Sequence, residues 1–235
     1  MDAITHLFVY SVFFSLFRIS ITQDSITPTQ SITDGGTTLV SAGGSFQLGF
    51  FSPDSQHDIS GVLKVTDDGI LVLLNSTSAV VWSSNASRAA ENPVAQLLDT
   101  GNLVVKDRND DDPEKFLWQS FDYPCDTLLP EMKLGWNFVT GLERFLSSWK
   151  STDDPAQGAF SKRLDPRGLP QMVNKEGDSI KTRSGSWNGL RYTGYPQLRP
   201  NTVFEYEFVL NEKEFHKGQR ALNLGLREYV DLPRP

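Results

Sequence analysis

The chain has 235 residues, 38% of them hydrophobic and 22% charged, and a formal net charge of −7. That length suits one large domain or two small ones, and that composition suits a globular, β-rich protein rather than a disordered one. The acidic balance argues against simple electrostatic attraction to nucleic acid or anionic lipid; its excess sits in "DRNDDDPE", Asp107 to Glu114, which reads as a solvated loop.

At the N-terminus, Leu7 to Phe17 is an apolar run of eleven residues closed by Arg18. This fits the h-region of a signal peptide over residues 1–22 and is shorter than the ~20 residues a membrane span needs. The n-region has no Lys or Arg, so a buried first strand competes with this reading. On the signal reading the mature chain starts near Ile21 to Asp24 and is secreted, and no later segment is long or apolar enough to span a membrane. Asn75 ("NST") and Asn85 ("NAS") open N-glycosylation triplets that agree with that route; Asn92 precedes a proline and does not qualify.

From about Asp24 to Asp122 the chain is dense in short β patterns: "SFQLGFF", "GVLKV", "GILVLL", "AVVWSS", "VAQLL", "NLVVKD" and "KFLWQS". Gly- and Asp-rich turns separate them, which argues for an all-β sandwich, barrel or prism. One sentence is written twice, 32 residues apart: "VTDDGILVL" (Val65 to Leu73) and "LLDTGNLVV" (Leu97 to Val105). Asp and Gly make a tight turn, the apolar run after it is the return strand of a hairpin, and a Trp follows on the next strand as a core anchor. From Tyr123 to Leu210 the chain is richer in Pro, Gly and Trp and reads as strands joined by long turns. There Phe204, Tyr206 and Phe208 alternate with Glu205 and Glu207. Lys213 to Pro235 holds only two aromatics, Phe215 and Tyr229, and is expected to be poorly ordered. Cys125 is the single cysteine and has no internal partner; it reads as buried and inert, the alternative being a thiol that pairs between chains.

The segments "TLVSAGGSFQLGFFSP", "VVWSSN", "VAQLLDTGNLVVKD", "FLWQSFDYPCDTLLPEMKLGWN", "LSSWKSTDDPAQG" and "RSGSWNGLRYTG" closely resemble the plant S-locus glycoproteins and the ectodomains of G-type lectin S-receptor-like kinases. The resemblance runs from about Asp24 to Glu214. It implies a shortened bulb-type lectin domain over 24–122, a β-prism of three four-stranded sheets that is incomplete here, then a truncated S-locus glycoprotein-like domain over 123–214. Residues 215–235 are then a divergent tail. Only "DSQHDI" (Asp54 to Ile59) stands where family members carry two more strands, so about one sheet of the prism is missing.

Bulb lectins that bind mannose use Q-x-D-x-N-x-V-x-Y, polar groups for the sugar hydroxyls and a Val for the ring carbons. Only Asp68 and Val72 match in the first copy, and only Asn102 and Val104 in the second. The repeat therefore reads as a structural hairpin, with residual sugar contact through Asp68 or Asn102 the lesser alternative, since each lost polar partner removes ~1 kcal/mol or more. No nucleophile pattern, zinc set, calcium loop, phosphate loop or kinase motif is found, so no catalytic residue, metal or cofactor is assigned. The resulting expectation is a secreted, non-catalytic, lectin-like recognition protein of the apoplast or cell wall, taking mannose-type glycans, with pollen recognition or receptor-like signalling implied by the resemblance. The alternatives are a module or decoy for a receptor-like kinase ectodomain or peptide ligand, and a truncated product without function.

Overall fold

The computed structural model describes residues 23–50, 61–85, 88–152, 154–195, 204–221 and 230–231, so the expected leader lies outside them. The fold is nearly all β. In the first region β1 (Ser25–Ile26), β2 (Ile32–Thr33), β3 (Leu39–Val40), β4 (Gln47–Leu48), β5 (Val62–Val65), β6 (Leu71–Leu74), β7 (Val80–Ser83), β8 (Pro93–Leu97), β9 (Leu103–Asp107) and β10 (Trp118–Gln119) follow in order. They form two antiparallel four-stranded sheets, ordered β1-β8-β9-β10 and β2-β5-β6-β7, and a separate hairpin β3-β4. Where the resemblance implies a third sheet of four strands, the described residues hold only this two-stranded one.

The written repeat is a repeated hairpin. Thr66 N–H donates to Ile70 O at 2.8 Å and Gly69 N–H to Thr66 O at 2.9 Å. Thirty-two residues on, Leu98 N–H donates to Asn102 O at 2.9 Å and Gly101 N–H to Leu98 O at 2.9 Å. The two glycines sit at φ 77° and 86°, the left-handed position that closes this kind of turn. A side chain there also lacks room: a Cβ on Gly69 would lie 2.7 Å from Leu117 Cδ1, and one on Gly101 2.7 Å from Phe46 Cε1.

The β6–β7 turn has the same pattern, Asn75 N–H to Ala79 O at 3.0 Å and Ser78 N–H to Asn75 O at 2.9 Å, but a serine holds the left-handed position at φ 61°. Ser78→Gly is expected to raise stability by about 1 kcal/mol, because the strain goes and no side-chain contact is lost. Urea unfolding of the two chains measures it, and an unchanged or lower midpoint refutes it.

Ile26, Ile32, Leu39, Val65, Leu71, Ala95, Leu97, Leu103 and Val105 close one core, contributed by all three sheets, with Phe46, Leu48, Leu117 and Trp118 packed on its rim. Trp118 thus anchors as expected. Trp82, its counterpart in the first copy, does not: it is 42% exposed on β7, the edge strand of its sheet, and touches Trp118 edge-on at 5.6 Å. All four residues of β7 are exposed, and no other strand among the described residues covers them.

The second region comprises β11 (Thr127–Leu128), β12 (Lys133–Asn137), β13 (Leu142–Arg144), β14 (Leu146–Trp149), β15 (Gln157–Asp165), β16 (Gln171–Glu176), β17 (Ser179–Arg183), β18 (Phe204–Leu210), β19 (Glu214–Ala221) and β20 (Val230–Asp231). Two four-stranded sheets, β13-β12-β19-β18 and β14-β15-β16-β17, sandwich a second core that includes Leu134, Leu146, Leu164, Met172, Tyr192 and Phe215. The stretch expected to be poorly ordered from Lys213 onward therefore needs correction. Residues 214–221 form an interior strand, hydrogen-bonded to β12 on one side and β18 on the other. Phe215, expected to open a divergent tail, is fully buried.

Candidate binding cleft

In β9, Val104 and Lys106 lie on the face opposite the core residues Leu103 and Val105, and the turn residues Leu98, Thr100 and Asn102 precede them, so this is the face on which the end of a sugar pattern would lie. That face looks into a cleft of about 1120 Å³. Gln96, Thr100, Asn102 and Lys106 line one wall; Lys133, Asn137, Arg144 and Glu214, from the β13-β12-β19-β18 sheet, line the other. No local sequence signal points to the second wall, because it is assembled by pairing strands far apart in the chain.

The pattern residues of the second copy are engaged by the protein itself. Asn102 Nδ2 donates to Gln119 Oε1 at 2.9 Å, and its Oδ1 accepts from Ser120 Oγ at 3.1 Å and from the Phe121 N–H at 3.2 Å. Asn102 thus clamps the segment that leaves the lectin-like region. Val104 is fully buried, and Lys106, also buried, pairs with the exposed Asp111. In the first copy Asp68 is exposed at the turn and Val72 is buried; neither lines the cleft. Thr100, half-exposed, and the amide side chains of Gln96, Asn137 and Asn211 also line the cleft. Each amide has part of its polar capacity used: Gln96 Nε2 donates to Asp24 Oδ2 at 2.8 Å, Asn137 Oδ1 accepts from the Val139 and Thr140 N–H, and Asn211 Oδ1 accepts from the Lys213 and Glu214 N–H.

Ion pairs fix the opposite wall. Arg144, nearly buried, donates through Nε (2.7 Å) and Nη2 (2.6 Å) to Asp122 Oδ1, tying the end of the first region to the second. Lys133 reaches Glu214 at 3.5 Å. Behind them His216 is 1% exposed. Its Nδ1 lies 3.2 Å from Glu214 Oε2, yet neither ring nitrogen has a hydrogen-bond partner among the described residues. Burial, and secondarily the Lys133 charge, hold its imidazole below the ordinary range; Glu214 and Glu207 oppose them and Arg144 adds a further lowering.

A base whose folded pKa is lowered takes its proton more readily when unfolded. Its contribution is harmless above the ordinary imidazole value near 6.5 and becomes a loss of stability as pH falls through it. The urea midpoint should therefore fall between pH 7.5 and 5.5, and His216→Asn should flatten that slope. An equal slope in both chains would remove His216 as its source.

Asn75 and Asn85 are both exposed; the other two residues of the Asn85 triplet lie outside the described residues. Cys125 corrects the buried reading: it is exposed, beside the exposed Tyr123. Its local surroundings and the Asp126 carboxylate push the thiol pKa up, so little of it is thiolate at neutral pH.

Residues 53–150 match the D-mannose binding lectin family. The chain is 38% identical over 247 residues to S-locus-specific glycoprotein S6 of Brassica oleracea, an alignment covering 92% of this chain and 56% of that one. It is 38% identical over 242 residues to S-locus-specific glycoprotein BS29-2 of Brassica oleracea var. alboglabra, covering 89% and 55%. It is 38% identical over 240 residues to receptor-like serine/threonine-protein kinase SD1-8 of Arabidopsis thaliana, covering 87% and 28%. The chain thus spans about half the length of the glycoproteins and about a quarter of the kinase. A bulb-type lectin region followed by a second β region, with this similarity over most of its length, makes the chain a relative of the S-locus glycoproteins and of the ectodomains of the S-receptor-like kinases.

Proposed function

We propose that the chain is a secreted, non-catalytic recognition protein that takes a mannose-type glycan in the cleft between its two β regions. The observation that supports this most is the cleft wall itself. One side is a face of the lectin-like sheet, and the groups left without a partner among the described residues, Gln96 Oε1 and the Nδ2 of Asn137 and Asn211, supply an acceptor and two donors that, with the Thr100 hydroxyl, suit sugar hydroxyls. With Asn102, Val104 and Lys106 turned to structural work, this contact differs from the bulb-lectin pattern and is weak. Action beside a receptor-like kinase, suggested by the relatives' names, and pollen recognition, implied by the family resemblance, belong to the same proposal.

A glycan array probed with the full secreted chain tests it. Binding to mannose-type glycans that Thr100→Ala and Asn137→Ala together abolish is the expected result. A blank array, with capture of an S-receptor-like kinase ectodomain by the same preparation, would favour the second reading, a protein-interaction module. The exposed apolar strand β7 supports that alternative.

A further inference from the structure

We propose that N-linked carbohydrate at Asn75, with Asn85 at the other end of the same strand, covers the free apolar edge of β7 and keeps the chain from pairing edge to edge with its own copies. The proposal rests on the secretory reading given above.

Three observations converge on this strand. First, among the described residues β7 is the outermost strand of its sheet, and Val80 (60%), Val81 (57%) and Trp82 are exposed on it. Edge strands are normally guarded by a charge, a proline or a bulge, because their unpaired backbone groups are a template for another chain. Here Ser76 to Asn85, "STSAVVWSSN", holds neither a charged residue nor a proline. A register shift in the β6–β7 pairing, at Val81, is the guard that remains. A net charge of −7 therefore does little to repel a copy at this edge.

Second, the two N-x-S/T triplets of the whole sequence bracket this strand: Asn75 is five residues before Val80, and Asn85 is two residues after Ser83. Third, the Asn75 turn leads directly into the strand and leaves the amide nitrogen open. Asn75 Oδ1 accepts from the Thr77 N–H at 3.0 Å, the Thr77 hydroxyl at 2.8 Å and the Ala79 N–H at 2.9 Å. The oxygen takes all of these bonds, so Nδ2 carries none among the described residues, and the side chain is exposed. Ala79, to which Asn75 is bonded through both side chain and backbone, is the residue before β7 begins.

In the transfer, the Asn75 Nδ2 attacks C1 of a lipid-pyrophosphate-linked oligosaccharide. The Nδ2–C1 bond forms, the C1–phosphate oxygen bond breaks, the amide loses one proton to a base, and the lipid pyrophosphate leaves. No oxidation or reduction is involved. The attached sugar is bulky and hydrated, so it fills the space beside the edge that a second strand would need.

The test uses the full chain secreted from a glycosylating host, in reducing buffer so that Cys125 cannot bridge. Peptide masses report occupancy at Asn75 and Asn85; sedimentation reports assembly. The wild type should be modified and monomeric. The Asn75→Gln/Asn85→Gln chain should associate, with a mass at least about twice the monomer's as expected for a two-fold pair or larger. Val81→Lys added to that double variant should return it to monomer. If the double variant is not secreted, trimming the folded wild type with a glycosidase to the first sugar of each chain should produce the same association. A modified wild type whose double variant or trimmed form stays monomeric overturns this inference alone, as does association that Val81→Lys leaves unchanged. Unmodified asparagines in a secreted wild type overturn it as well, and a wild type retained unmodified in the cell takes the secretory reading with it.

Discussion

Phe215→Ala is expected to lower stability by about 3–5 kcal/mol, the cost of emptying a buried aromatic site. That is a large share of the ~5–15 kcal/mol by which a domain is held together. Phe215 lies on the interior strand β19, meets Phe208 edge-on with ring centroids 5.5 Å apart, and through it Trp187, stacked on Phe208 at 5.0 Å. Trp187 in turn meets Tyr192 at 5.2 Å. Removing one ring unseats a row of four. Chemical denaturation followed by tryptophan fluorescence measures the loss. A shift within about 0.5 kcal/mol, typical of a surface substitution, would restore the expectation of poor order from Lys213 onward.

The second large effect is at Asn102. Asn102→Ala should cost about 2–4 kcal/mol, because it deletes three hydrogen bonds and strands the buried N–H of Phe121, whose desolvation alone is worth ~1–3 kcal/mol. Asn102→Asp keeps the two accepting bonds and loses only the donation to Gln119, so it should cost less. This ordering separates a clamp from a ligand contact: a residue that served only a sugar would change glycan binding in both variants and the unfolding midpoint in neither. Equal midpoints for Asn102→Ala and the wild type would refute the clamp.

The first region was legible where the information is local. Each hairpin of the repeat carries its own instructions, a glycine that tolerates positive φ followed by an apolar return strand, and Val65↔Leu71 and Leu97↔Leu103 pair in the same register. Trp82 and Trp118 follow matching patterns and have opposite fates, since what covers a side chain depends on strands elsewhere. The interior strand was illegible for a related reason. In "EFHKG", Glu214 to Gly218, a strand with buried residues on both faces does not alternate apolar with polar. Phe215 points into one core, while His216 and Glu214 are packed against the ion pairs of the cleft. The clamp at Asn102 was found as a pattern residue, but its partners Gln119, Ser120 and Phe121 emerge only when β10 pairs with β9. Cys125 was misjudged because residue type speaks for the average environment and not for a turn between two cores.

The pairing of β12 with β19 also sets an order of events during synthesis. Lys133 to Asn137 must wait for Glu214 to Gly218, roughly 80 residues further along the chain. At roughly 5–20 residues per second that is a delay of several seconds. During this interval the first region, whose strands end at Gln119, has all its partners and is free to fold. The apolar faces of β12 and of the sheet from β14 to β17 have no lid, because Phe215 has not been made. The second region is therefore the slower and more chaperone-dependent half, and a ribosome stalled just short of residue 214 would display a finished lectin-like head on an open, sticky sheet.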